Sequence, residues 1–155
     1  MEMVRLSVPG TLKYRDLVLR AVASFCRLAR AQSKQEASRA EVEEFDDKLV
    51  SAVGEAFNNV AIHGYRDRLP GRVEFELEFG SDGVIIRLVD TGVVFDPNGE
   101  PAQEPTRLPE SHMGLFIIRS CVDTVSYRRG NPPDMPNVLT LTKRFPGTVR
   151  EAVGR

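Results

Sequence analysis

The spacing of apolar residues changes several times along the chain, and each spacing predicts one element. Residues 3–8 and 73–79 alternate apolar with polar positions, which is typical of half-buried strands. Residues 84–89 are apolar almost throughout, so they predict a more deeply buried strand paired with 73–79 in an antiparallel hairpin. Two shorter runs, 124–127 and 138–142, predict a second, closing hairpin.

Three other segments have apolar residues at helical spacing, about 12–31, 39–63 and 114–122. Residues 32–40 either extend the first helix or form a loop. Two helices thus precede one hairpin, and the third helix precedes the other. This order predicts an α+β fold, a two-layer α/β sandwich in which three main helices cover one face of a mostly antiparallel mixed sheet.

The size and composition fit one soluble domain. The chain has 155 residues, of which 41% are hydrophobic and 28% charged. We expect a single domain at 1–145 and a flexible tail at 146–155. The net charge of −1 gives no basic field for nucleic acid or a membrane surface. No membrane-spanning run or signal-peptide pattern is apparent, and the two widely separated cysteines lead us to expect a reducing cytoplasm.

The cysteines and histidines do not indicate a metal centre. Cys26 and Cys121 lie in apolar helical patterns and are predicted to be buried thiols in a reducing compartment. His63 and His112 have no neighbouring ligands at metal-binding spacing, which argues against zinc, and neither is placed among the catalytic residues.

The candidate chemistry lies in two short segments about thirty residues apart. Glu55 and Asn59 share one helical face, where a carboxylate and an amide can hold a hard cation and orient a nucleophile. Asp90 follows the buried strand, and Gly92 allows a base or phosphate to approach the backbone. Together they suggest an ATP site outside the P-loop class. Taken separately, each segment is also consistent with a solvated helix face or an ordinary turn.

A loop rich in proline follows Asp90. Its prolines recur at every fourth position and exclude both a helix and a central strand; they are Pro97, Pro101, Pro105 and Pro109. Loops of this length in a compact domain are usually functional or disordered, and the preferred hypothesis is a lid over the nucleotide.

These segments resemble the Bergerat-fold ATPases, the group that includes gyrase and bacterial histidine kinases. Glu55-x-x-x-Asn59, followed by His63-Gly64-Tyr65, resembles the group's asparagine box. Asp90-x-Gly92, with Phe95-Asp96-Pro97 after it, resembles the group's first glycine box. Residues 113–119 resemble the second. The order and spacing, with Asp123-x-Val125 after the last helix, are most similar to the small anti-sigma factor serine kinases.

The resemblance implies a role for each matching residue. Asp90 would accept a hydrogen bond from the adenine amino group, and Gly92 would let the backbone approach the purine. Asn59 would ligate Mg²⁺. Glu55 would act as the general base or orient the attacking serine hydroxyl.

The second glycine box would bind the phosphates of ATP. The resemblance assigns this contact to Met113, Gly114 and Leu115, with the amides at a helix N-terminus facing the phosphate oxygens. Three residues depart from the family pattern: Val94, Ser111 and His112 stand where glycines are common.

The function implied is that of an ATP-binding anti-sigma regulatory factor with protein-serine kinase activity. It would phosphorylate an anti-anti-sigma antagonist protein and sequester a sigma factor, as a homodimer with the edge strand 3–8 near the interface. The alternative is a non-catalytic module that keeps the ATPase fold and acts by sequestration alone. A detached histidine-kinase ATPase domain is less favoured, because no helix with a phosphoacceptor histidine is apparent.

Overall fold

A computed structural model describes residues 2–66, 68–93, 110–132 and 134–148, with the backbone alone at 110–112. The described strands are β1 (Glu2–Pro9), β2 (Arg72–Phe79), β3 (Gly83–Asp90), β4 (Thr124–Arg128) and β5 (Asn137–Arg144). The described helices are α1 (Arg15–Gln32), α2 (Arg39–Asn58) and α3 (Glu110–Cys121), with a 3-10 turn, Leu12–Tyr14, before α1. In this part of the chain no helix combines the length and the apolar character needed to span a bilayer.

The five strands form one sheet in the order β1-β2-β3-β5-β4, and each neighbouring pair is antiparallel. The predicted α+β sandwich is confirmed, and within the described strands the sheet is antiparallel throughout. The chain leaves β3, passes through α3 and returns in β4 at the far edge. β1 forms the opposite edge, as predicted.

The alternating pattern of β2 explains which face of the sheet is covered. Val73, Phe75 and Leu77 are almost fully buried, whereas the intervening Glu74 is exposed. Because successive side chains of a strand point to opposite faces, the apolar set packs on the helices. The ring of Phe75 lies 6.0 Å from that of Phe57 in α2, centroid to centroid.

The first two helices form an antiparallel hairpin. Arg30, near the end of α1, donates a hydrogen bond from Nε to Asp46 Oδ1 near the start of α2, at 2.9 Å. Ser38 and Glu41 form a capping box that starts α2: Ser38 Oγ accepts from the Glu41 amide, and the Glu41 carboxylate accepts from the Ser38 amide. Residues 33–38 are therefore a loop, which settles the alternative left open by the sequence.

The two cysteines are both free but differ in burial. Cys26 is buried, as predicted, whereas Cys121 is only half-buried because it lies at the end of α3. Burial raises the pKa of the Cys26 thiol to about 12, so this side chain behaves as a small apolar residue.

Two helix boundaries differ from the prediction. The α-helix predicted to continue to residue 63 ends at Asn58, and Asn59–Gly64 forms a π-helical turn. Helix α3 begins at Glu110 rather than at Gly114. The predicted proline-rich lid and the last residues of the predicted tail, 149–155, lie outside the described residues.

Candidate active site

The C-terminal end of α2 carries the first pair of predicted site residues. Glu55 lies in the last turn of α2, and Asn59 opens the π-helical turn that follows. Asn59 is only 8% exposed although it is polar, while Glu55 is half-buried. Single π-helical turns within longer helices are often found at functional sites. A buried amide beside a partly screened carboxylate is a suitable arrangement for a cation and a nucleophile.

Helix α3 brings Gly114 directly against this pair. A Cβ atom at position 114 would lie 3.1 Å from Glu55 Oε2 and 3.6 Å from Asn59 Oδ1. Glycine therefore lets the backbone of α3 approach both side-chain oxygens; a Cβ atom would be in ordinary contact with Asn59 Oδ1 and would press on the Glu55 carboxylate, which would have to shift by a few tenths of an ångström. The structure thus unites three of the predicted site residues, Glu55, Asn59 and Gly114.

The position of Gly114 within α3 differs from the expectation. Because α3 begins at Glu110, Gly114 lies in the second turn and not at the N-terminus. Only the first four N–H groups of a helix lack a partner in the preceding turn, and Gly114 is the fifth residue. Its contribution at this point is close packing without a side chain. Its neighbour Leu115 lines the adjacent cleft, whereas Met113 is 51% exposed and is absent from the cleft wall.

A second close approach joins the end of the π-helical turn to the chain after β3. The Val93 amide donates to the Gly64 carbonyl oxygen at 2.7 Å. A Cβ atom on Gly92 would lie 2.7 Å from the same oxygen and 2.9 Å from Gly64 Cα, too close for any side chain. Gly92 is therefore needed to hold the two predicted segments together.

Tyr65 packs at the same junction, between the π-helical turn and the chain after β3. Its buried ring lies against Gly10 and Gly71, at both of which a Cβ atom would overlap the ring. Its hydroxyl donates to the Arg72 carbonyl oxygen at 3.2 Å and accepts from the Thr91 amide at 3.3 Å. The residue after the helix end thus positions the turn after β3.

Asp90 lies at the inner end of the site. It is 7% exposed, and its Oδ1 atom accepts hydrogen bonds from the Gly92 amide at 2.8 Å and from Asn137 Nδ2 at 3.2 Å. Burial raises the pKa of Asp90, and these two donors oppose that rise. Among the described residues no donor is found for its other oxygen, Oδ2, which is therefore the acceptor available to a ligand.

A narrow apolar cleft connects Asp90 with Asn59, and its cavity volume is about 30 Å³. Its apolar lining comes from α2, the π-helical turn, the chain after β3, α3 and the sheet: Ala56, Val60, Leu88, Val93, Leu115, Ile118, Val125, Tyr127 and Leu139. Apolar walls with one deeply placed acceptor are suited to a flat heteroaromatic ring that carries an amino group.

The residues that sequence reasoning missed lie on the closing hairpin. Val125, Tyr127 and Leu139 line the cleft, and Asn137 bonds to Asp90. The period of two along 124–127 could have placed Val125 and Tyr127 on the helix-facing side. For Asn137 the only signal was a polar residue at the start of an apolar strand, which is a common arrangement.

Comparison with known proteins agrees with this geometry. Residues 8–143 match the family model of the histidine kinase-like ATPase domain. The chain is 37% identical over 97 residues to an anti-sigma F factor of Clostridium beijerinckii, covering 58% of this chain and 66% of the relative. Anti-sigma F factors of Bacillus licheniformis and Bacillus subtilis are 33% and 30% identical over 103 residues, 63% of this chain and 68% of theirs.

The chain spans about two thirds of the length of these curated relatives. The family match is broader: it runs from the end of β1 almost to the end of β5 and includes every residue of the site described above. The chain therefore belongs to the histidine kinase-like ATPase family, in the group of the anti-sigma factor kinases.

Proposed function

We propose that the chain binds ATP in the cleft between Asp90 and Gly114 and is an anti-sigma regulator with protein-serine kinase activity. The observation that carries the proposal is the convergence of Glu55, Asn59 and Gly114 at the mouth of an apolar cleft that ends at a buried carboxylate. The matched domain is described as an ATPase, which implies ATP binding.

We assign the adenine ring to the inner part of the cleft, whose walls must move apart to admit it because the cavity volume is about 30 Å³. Asp90 Oδ2 would accept a hydrogen bond from the exocyclic amino group, while Oδ1 remains bonded to protein donors. The apolar walls would cover both faces of the ring and exclude water from this hydrogen bond. Gly92, which packs against Gly64 at this end of the site, would let the backbone approach the purine.

The outer part of the site fits the phosphates and a magnesium ion. Asn59 Oδ1 and Glu55 Oε2 both lie within 3.6 Å of the point that a side chain on Gly114 would fill. Magnesium is usually held by few protein oxygens together with phosphates and water, so one amide oxygen is a sufficient anchor. Asn59 would hold the ion, which neutralises the charge on the transferred phosphoryl group when bound.

Glu55 is placed to act on the nucleophile. We assign it the role of accepting or orienting the proton of a substrate serine hydroxyl. The serine oxygen would form a bond to the γ-phosphorus as the bond to the β–γ bridging oxygen breaks, and ADP would leave. Phosphoryl transfer depends mostly on alignment and charge neutralisation, which a carboxylate one turn from the metal ligand provides.

The proposed partners follow from the relatives, which are named anti-sigma F factors. The serine would belong to an antagonist protein of the anti-anti-sigma type, and the sequestered protein would be a sigma factor. The two free cysteines are consistent with the cytoplasmic location we propose.

We also propose a homodimer. β1 is an edge strand, and Met3 and Val4 on it are each 43% exposed, so an unpaired backbone edge coincides with accessible apolar side chains. Light scattering at tens of micromolar protein should give twice the chain mass of 17.3 kDa. A mass equal to one chain at that concentration would contradict the dimer.

A second candidate function is sequestration without catalysis. It is favoured by Val94, Ser111 and His112 at positions where the family commonly has glycine. Transfer of radiolabelled γ-phosphate from ATP to candidate antagonist proteins distinguishes the two functions. The kinase proposal predicts label on a serine of the antagonist, reduced about a hundredfold or more by Glu55→Gln while nucleotide binding is retained. Sequestration alone predicts binding of the partner and no label with either protein.

A further inference from the structure

Asn137, at the start of β5, is a fully buried polar residue with every hydrogen-bonding group in use. Its amide nitrogen donates to Asp90 Oδ1 at 3.2 Å and to the Gly92 carbonyl oxygen at 3.1 Å. Its side-chain oxygen accepts from the Gly130 amide at 2.9 Å. Its exposure is 0%, so no water replaces any of these bonds.

The surroundings permit only one orientation of this amide. If its oxygen and nitrogen were exchanged, the oxygen would face two acceptors, Asp90 Oδ1 and the Gly92 carbonyl, and the NH₂ group would face the Gly130 N–H. Three bonds would become three repulsive contacts in a buried setting. Gly130 is itself required there, because a Cβ atom would overlap the backbone of Met135 and Pro136.

This arrangement fixes the direction in which Asp90 presents an acceptor, and therefore what a ligand must offer. Asn137 and the Gly92 amide both donate to one oxygen, Oδ1, so together they hold the plane of the carboxylate and leave the other oxygen facing the cleft. Oδ2 remains as a fixed acceptor. A purine that carries a donor at position 6 satisfies it, whereas a 6-oxo purine sets one acceptor against another.

We propose that Asn137 is a specificity-determining residue, which selects 6-aminopurine over 6-oxopurine nucleotides by fixing the carboxylate of Asp90. The proposal rests on the proposed ATP binding. Asn137 does not line the cleft, so it acts on the ligand through Asp90 and through the Gly92 carbonyl. It also links the β4–β5 loop to the base-binding end of the site through Gly130.

The test compares ADP with IDP, which has an oxygen in place of the amino group. Calorimetric titration of the wild-type protein should show ADP binding more tightly than IDP by at least about a hundredfold. In Asn137→Ala the affinity for ADP should fall while that for IDP changes little, so that the ratio drops at least about tenfold. Asn131→Ala is the matched control, since this exposed asparagine of the same loop contributes backbone bonds to Met135.

The outcomes separate this inference from the proposed function. Equal loss of affinity for ADP and IDP in Asn137→Ala would show that Asn137 only supports the fold, and would overturn the inference. An unchanged ratio would do the same. If Asn137→Ala does not fold, the comparison is made with Asn137→Leu, which keeps a side chain of similar length but has no donor for Asp90. A wild-type preference retained in that variant would also overturn the inference. No binding of ADP to the wild-type protein would instead contradict the proposed function.

Discussion

Replacing Gly92 by alanine tests whether the two parts of the site depend on one backbone contact. The added Cβ would lie 2.7 Å from the Gly64 carbonyl oxygen, and ordinary contact begins at 3.4 Å, so the two segments must separate by about 0.7 Å. Both sides of the contact are backbone, and no side chain can rotate to relieve it. The Val93–Gly64 hydrogen bond, now 2.7 Å, would be stretched or lost. Overpacking of this kind costs about 1–3 kcal/mol.

The same shift would disturb ligand binding, because the Gly92 amide donates to Asp90 and its carbonyl accepts from Asn137. We expect the affinity for ADP to fall at least about tenfold, equivalent to about 1.4 kcal/mol. Calorimetric titration measures the affinity, and thermal unfolding measures stability. Gly80→Ala is the matched control, since no atom lies within 4 Å of its Cβ position.

If Gly92→Ala binds ADP within about twofold of the Gly80→Ala control and unfolds at the same temperature, the Gly64–Gly92 contact does not hold the site together.

Individual contacts give three further predictions. Asn59→Ala should weaken nucleotide binding at least about tenfold in the presence of Mg²⁺ but little in EDTA, and equal effects in both titrations would remove the metal assignment. Tyr65→Phe leaves the Thr91 amide without its acceptor and should lower the unfolding free energy, measured by urea titration, by about 1–3 kcal/mol. An unchanged unfolding free energy would show that water replaces the hydroxyl. Because burial raises the pKa of Asp90, the folded state holds this proton to higher pH than the unfolded state. The stability that this group contributes should therefore fall as the pH rises from about 4 through the raised pKa. Urea titrations repeated across this pH range should show that decline in the wild type and not in Asp90→Asn. The same pH profile in both proteins would contradict this prediction.

Much of the fold was predictable because the signals were local. Residues 73–79 alternate so regularly that only one face of β2 can be buried, and the register with β3 follows from the short turn between them. Helical spacing located all three helices. Glu55 and Asn59 were predicted to share a face because that requires only the helical repeat.

The features that were missed depend on contacts between distant parts of the chain. The π-helical turn at Asn59–Gly64 is not encoded in its spacing; it ends where the Gly64 carbonyl bonds to Val93. Asn137 is important only because folding places it beside Asp90, which lies 47 positions earlier. Its burial and full hydrogen bonding cannot be seen until the strands are paired.

The most direct test of the central claim is calorimetric titration with a non-hydrolysable ATP analogue and Mg²⁺, for the wild-type protein and Asp90→Asn. The variant keeps the shape of Asp90, but its amide either opposes one of the donors to Oδ1 or presents a donor to the adenine amino group. We predict saturable binding at one site per chain in the wild type and a loss of at least about tenfold in the variant. Absence of saturable binding, or equal affinities for the two proteins, would contradict the assignment of this cleft as the ATP site.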